Sequence, residues 1–121
     1  MKILFISHDA SRSGAPILLR NFCQYLLSDL SGVHKVAFLL RRSGPLHKDF
    51  VKIGKTKLFE SKWLKYRSSL AGRIFGRFGI FKLLQRFHEK SLLKSYRAEK
   101  FDLIYSNTVV NVDVLRMLDP L

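Results

Sequence analysis

Two six-residue runs, KILFIS at Lys2–Ser7 and KVAFLL at Lys35–Leu40, are apolar almost without interruption. A strand with one face in water alternates polar and apolar residues, whereas one that is apolar on both sides must be covered on both sides. Residues 15–30, between the runs, change to helical spacing, with Ile17, Leu18, Phe22, Tyr25, Leu26 and Leu30 falling near i, i+4 and i+8. Strand, helix, strand is a βαβ unit, and it implies a right-handed crossover onto a parallel sheet.

The rest of the chain continues the alternation. Residues 8–14 are polar and rich in Ser and Gly, hence a loop, with Ser13 or Gly14 as the helix N-cap and Pro16 in the first turn. Residues 41–45 turn, 46–53 form a short helix ending at Gly54, and 57–60 form a short third strand. FDLIYS at 101–106 is a further strand, followed by a helical pattern over 109–118. The fold class is therefore α/β, a Rossmann-like parallel sheet with flanking helices in a single domain. The last helix runs straight into Asp119-Pro120-Leu121, where a doubly wound fold places its next strand. The chain is expected to be incomplete for that reason.

The net charge of +13 is concentrated in one place. Of 22 Lys and Arg, only Lys2, Arg12, Arg20, Lys35 and Arg116 lie outside residues 41–100, and five Asp balance them there. The other 17 face Asp49, Glu60, Glu89 and Glu99 alone. A neutral frame with a basic insert suggests a surface made for an anionic partner. The single cysteine, Cys23, excludes an internal disulfide and sits in the apolar helical pattern as a packing residue. No signal peptide is visible, and no apolar run approaches the ~20 residues of a transmembrane helix. A cytoplasmic setting fits.

In open parallel sheets ligands bind beyond the carboxyl ends of the strands. Two segments arrive there. The first is the 7–14 loop, which feeds a helix N-terminus attractive to phosphate. Ser11, Ser13, Gly14 and Ala15 are its candidate contacts, with His8 as a lining residue on the acceptor side. His8 and Asp9, adjacent on an extended chain, do not point to one place as an acid/base pair would. The second is Ser106-Asn107-Thr108, where Ser106 and Asn107 can hydrogen-bond a sugar hydroxyl or cap the following helix. Neither G-x-G-x-x-G nor a P-loop is present, and the four His are scattered without metal-ligand spacing. No catalytic residue can be named.

The strand KILFISHD, the loop ASRSGAPI, the helix LLRNFCQYL, the segment RRSGPLHKDF and the strand FDLIYSNT, in this order, resemble the N-terminal half of the family-4 glycosyltransferases with the GT-B fold. Residues 61–99 are unmatched in detail. The resemblance implies two Rossmann-like domains with the active site in the cleft between them. It implies a nucleotide-sugar donor, a glycan or lipid-linked acceptor held by this half, and no metal cofactor. It places the loop at 11–15 near the donor diphosphate, with Gly14-Ala15 where many relatives have Gly-Gly. A functional His that some relatives carry after the later strand has no counterpart at Ser106 and Asn107. The donor-binding domain, with the family's basic and acidic catalytic residues, is not in this sequence. The chain alone is therefore expected to be inactive, either a fragment or a subunit completed by another chain.

Residues 62–98 interleave bulky apolar and basic side chains. Trp63, Tyr66, Leu70, Ile74, Phe78, Phe81 and Leu84 recur at three- or four-residue steps, a helical stripe. Gly72, Gly76 and Gly79 each weaken a helix by ~1 kcal/mol relative to Ala, which predicts two helices rather than one. Basic amphipathic helices carrying Trp and Phe bind membrane interfaces. The residues for that role are Lys62, Trp63, Lys65, Arg73, Arg77, Lys82 and Arg86. In the competing arrangement the apolar residues pack on the sheet and the basic ones are merely solvated. Two functions remain open: the acceptor side of a glycosyltransferase peripheral to the cytoplasmic membrane face, or a non-enzymatic basic module for an anionic membrane or, less well supported, nucleic acid.

Overall fold

The computed structural model describes residues 1–29, 35–61 and 69–118, apart from the side chains of Asp29 and Phe75. It is an α/β fold with a four-stranded parallel sheet in the order β3-β2-β1-β4. The elements in chain order are β1 (Lys2–Ser7), α1 (Gly14–Asp29), β2 (Lys35–Leu40), α2 (His47–Ile53) and β3 (Lys55–Leu58). Next come α3 (Leu70–Gly76), α4 (Ile80–Ala98), β4 (Leu103–Ser106), a 3₁₀ turn at Val109–Asn111 and α5 (Val112–Leu118).

The two apolar runs are central strands covered on both faces. Ile3 and Phe5 of β1, with Val36, Phe38 and Leu40 of β2, pack against Leu19, Cys23 and Leu26 of α1 and against Phe50 of α2. Leu4, Ile6, Ala37 and Leu39 point the other way, onto Leu92 and Tyr96 of α4 and Val114 and Leu118 of α5. Period-two alternation thus divides each run between two cores, which is why the four residues between Lys2 and Ser7, and the five after Lys35, are all apolar.

Burial pushes the Cys23 thiol up to about 12, and the residue is fully buried. It is a packing residue. A thiol-alkylating reagent near pH ~8 should leave the native chain unlabelled and react only in denaturant, because the thiolate is the nucleophile. Rapid labelling of the native chain, followed by mass spectrometry, would contradict the packing of α1.

The structure corrects several boundaries. The third strand begins at Lys55, two residues before the predicted start at 57. Phe59 and Glu60 have left the strand, yet their N–H groups still bond Leu40 and Arg41 carbonyls at 2.8 and 3.3 Å. The strand predicted from 101 begins at Leu103. Asp102 is instead tied to the foot of β1, its N–H to the Lys2 carbonyl and its carboxylate to the Lys2 N–H. The helix predicted over 109–118 opens as a 3₁₀ turn. The glycine break is as expected, with Gly79 at φ +68° closing the turn between α3 and α4. No helix among the described residues is long and apolar enough to cross a membrane.

Candidate functional site

From β1 the chain steps outward through β2 to β3, then crosses back over the sheet to place β4 on the other side of β1. Connections leave the carboxyl ends of β1 and β4 in opposite directions, and a crevice opens there. Ile6 pairs with Ser106 across it. One residue further on, Asn107 donates its N–H to the Ile6 carbonyl at 3.3 Å and its Nδ2 to Ser7 Oγ at 3.4 Å. Asn111, fully buried in the 3₁₀ turn, directs Nδ2 to Ser106 Oγ and Thr108 Oγ1 at 3.1 Å and to the Ile6 carbonyl at 3.4 Å. Arg41, at the end of β2, spans β1 to reach the Val110 carbonyl and Asp113, both at 2.9 Å.

The crevice is polar and incompletely satisfied. His8 Nδ1, Asn107 Oδ1 and Asn111 Oδ1 are buried and have no hydrogen-bond partner among the described residues. Leaving such an atom unpaired costs about 1–3 kcal/mol, so a cluster of them marks a place where a ligand or water completes the network. Asn107 also lines a cavity of about 260 Å³ between α1 and β4, together with Ala15, Leu18, Phe22 and Tyr105. The Phe22 and Tyr105 rings lie 6.4 Å apart, tilted by 40°, and both are more than 40% exposed. Aromatic faces beside an amide suit a ligand with an apolar face and a polar rim. A larger cavity, about 600 Å³, lies on the opposite face between α4 and α5. On its rim Arg97 donates to the Met117 carbonyl and Lys100 N–H to the Arg97 carbonyl, bonds internal to the fold.

The loop after β1 is held by its own side chains. Asp9 Oδ1 accepts from Ser11 N–H at 3.2 Å and Ser11 Oγ at 2.9 Å, and Ser11 Oγ lies 2.8 Å from Ser13 Oγ. Asp9 is thus a turn residue. Gly14 is the first residue of α1, so Ser13 occupies the cap position and its carbonyl accepts from Ile17 N–H at 3.2 Å. Gly14 and Ala15 are exposed, and a Cβ added at Gly14 would meet no atom within 4 Å. The close loop approach belongs to Gly44, whose Cβ would fall 2.4 Å from the Ala10 carbonyl oxygen. Ser106 is committed: its Oγ donates to the Thr108 carbonyl and accepts from Asn111. Thr108 makes no side-chain cap.

Of the residues expected at a membrane, Lys62, Trp63 and Lys65 lie outside the described residues. Arg73, Arg77, Lys82 and Arg86 line one groove of about 680 Å³ between α3 and α4. The helical stripe divides. Leu70, Ile74 and Phe78 are exposed, whereas Phe81 and Leu84 are half-buried, so packing on the sheet does not account for the first three.

Sequence reasoning missed Asn111, Arg41, Phe22 and Tyr105 as parts of this site. A polar residue four positions after Asn107 in an otherwise apolar pattern was the only signal for Asn111. Comparison of the chain with known protein families, with curated proteins and with solved structures finds no match.

Proposed function

We infer that the chain is the acceptor-side domain of a glycosyltransferase, holding a sugar-bearing acceptor in the crevice at the ends of β1 and β4 for transfer from a nucleotide-sugar. The reading is carried by the three buried, unpartnered polar atoms of His8, Asn107 and Asn111 at that crevice. A carbohydrate hydroxyl can donate to an amide oxygen such as those of Asn107 and Asn111, and can donate to or accept from His8 Nδ1 according to the tautomer. Phe22 and Tyr105 offer a ring face beside Asn107, and Gly14 has open space before it for a diphosphate. The domain works at the cytoplasmic face of a membrane, meeting anionic lipid through its basic segment. Transfer requires a donor-binding domain, in the same polypeptide or in a partner subunit.

Isotope-labelled full chain, titrated with UDP-glucose, GDP-mannose and a set of alkyl glycosides, tests the crevice reading by amide chemical shifts. Changes should cluster at His8, residues 11–15 and Asn107. Asn107→Ala should weaken the best glycoside about tenfold, the scale of one lost hydrogen bond with its partner left unpaired. Silence of these amides toward every probe would reject the reading.

The groove of four cations favours a second reading, a non-enzymatic basic module for an anionic surface. A silent crevice together with strong binding to anionic vesicles or nucleic acid would select it.

A further inference from the structure

The α3–α4 hairpin presents apolar side chains where a surface helix is usually polar. Leu70 is 82% exposed and Phe78 76%, with Ile74, Leu83 and Phe87 each more than half exposed. Leu70, Ile74 and Phe78 are spaced by four and form one line along α3 into the turn. Leu83 and Phe87 form a second line on α4. A different side of α4 faces the sheet: Gln85 and His88 bond the Phe59 and Leu58 carbonyls, and Leu92 and Tyr96 enter the core. Basic residues border both lines. Arg73, Arg77, Lys82 and Arg86 share the groove between the helices, and across residues 69–98 seven Lys and Arg face Glu89 alone.

Charge and side-chain type together choose the occupant. The excess positive charge favours an anionic partner over a neutral or cationic one. Leu70, Ile74 and Leu83 have no ring on which a base could stack, whereas all five apolar side chains gain by entering the boundary between headgroups and acyl chains. We propose that the hairpin is the surface on which this chain sits on an anionic bilayer. Leu70, Ile74, Phe78, Leu83 and Phe87 enter the boundary, and the four groove cations meet lipid phosphates.

The proposal rests on the membrane-side acceptor reading above and adds an orientation to it. Gln85 and His88 hold the chain leaving the carboxyl end of β3, while Lys55 at the other end of that strand pairs with Glu99. The first turn of α4 therefore stands beyond the carboxyl edge of the sheet, the edge that carries the crevice. Docking the hairpin turns that edge toward the bilayer, and the acceptor class that fits is a hydroxyl or sugar borne on a lipid.

Co-sedimentation of the full chain with vesicles of phosphatidylcholine alone, or mixed equally with phosphatidylglycerol, tests this. Binding should be at least about tenfold tighter to the anionic vesicles and should weaken with salt. Leu70→Ser with Phe78→Ser should reduce that binding about tenfold or more while circular dichroism stays unchanged, since both side chains are largely in water. Arg73→Gln with Arg77→Gln should reduce it to a similar degree and flatten the salt dependence. Binding undiminished in both double variants would remove the hairpin and its orientation while leaving a membrane role to another surface. No preference for anionic vesicles in the unaltered chain would overturn the membrane reading itself. Retention on single-stranded DNA or RNA at a salt concentration that releases vesicles would overturn the proposal in favour of nucleic acid.

Discussion

Tyr96→Ala is expected to lower stability by about 3–5 kcal/mol, the usual cost of truncating a large buried aromatic. Tyr96 is 1% exposed and is among the largest fully buried side chains. It joins α4 to the rest of the fold in four ways. Its ring packs among Leu4, Ile6, Ala37 and Leu39. It lies 5.9 Å from the Phe101 ring, and its hydroxyl donates to the Phe38 carbonyl at 2.8 Å. Lys55 and Lys57 sit over the ring at 5.8 and 5.3 Å, adding cation–π attraction. A domain of this size has only about 5–15 kcal/mol in total, so the melting temperature should fall by roughly 10–20 °C. Tyr96→Phe separates the contributions, because it keeps the ring and leaves the Phe38 carbonyl without this donor. Its cost should be about 1–2 kcal/mol. Calorimetry that found Tyr96→Ala as mild as Tyr96→Phe would mean that α4 does not pack as described. The basic hairpin would then have no rigid base.

The central strands were readable because burial on both faces leaves a short, nearly unbroken apolar run rich in β-formers and followed by a polar loop. KILFIS and KVAFLL occupy the spans they predict. The edge strands were harder. KTKL in β3 is half-buried and alternates with Lys, so its start depends on how the chain leaves α2 rather than on its own composition. The beginning of β4 depends on Asp102 bonding Lys2, a contact across 100 residues that no local pattern encodes. The candidate site divides along the same line. The segments at 7–14 and 106–108 could be found because topology sends every strand end of a parallel sheet to one edge. Which of their atoms are free could not. Ser106 and Asn107 look equivalent in sequence, yet Ser106 is spent on Thr108 and Asn111 while Asn107 keeps a buried, unpartnered oxygen. In the basic segment, spacing joined Trp63 through Leu84 into one stripe. The turn at Gly79 rotates α4 relative to α3, so that Phe81 and Leu84 face inward while Leu70, Ile74 and Phe78 face water.

Gly44→Ala is expected to cost about 2–4 kcal/mol, combining overpacking with a strained hydrogen bond, although it adds a single methyl group at a half-buried position. The new Cβ would lie 2.4 Å from the Ala10 oxygen, 2.5 Å from its carbon and 2.9 Å from the Ser11 nitrogen. All three are backbone atoms, so no rotamer change relieves the overlap and the two loops must part. The Ala10 carbonyl also accepts from Leu46 N–H at 2.8 Å, and Leu46 leads into α2 with its side chain buried in the first core. Parting the loops strains that bond and displaces the 11–15 segment, so on the proposed acceptor reading glycoside binding at the crevice should fall together with stability. Gly14→Ala is the matching control. Its Cβ meets nothing, and alanine favours a helix over glycine by up to ~1 kcal/mol, so stability should hold or rise slightly. If a diphosphate approaches the backbone at Gly14, that variant should lose nucleotide-sugar binding with its fold intact, whereas Gly44→Ala should lose fold and binding in proportion. Thermal melts paired with the titration separate the two cases. Equal stability of Gly44→Ala and the unaltered chain would show that the Ala10–Gly44 contact does not set the shape of the crevice.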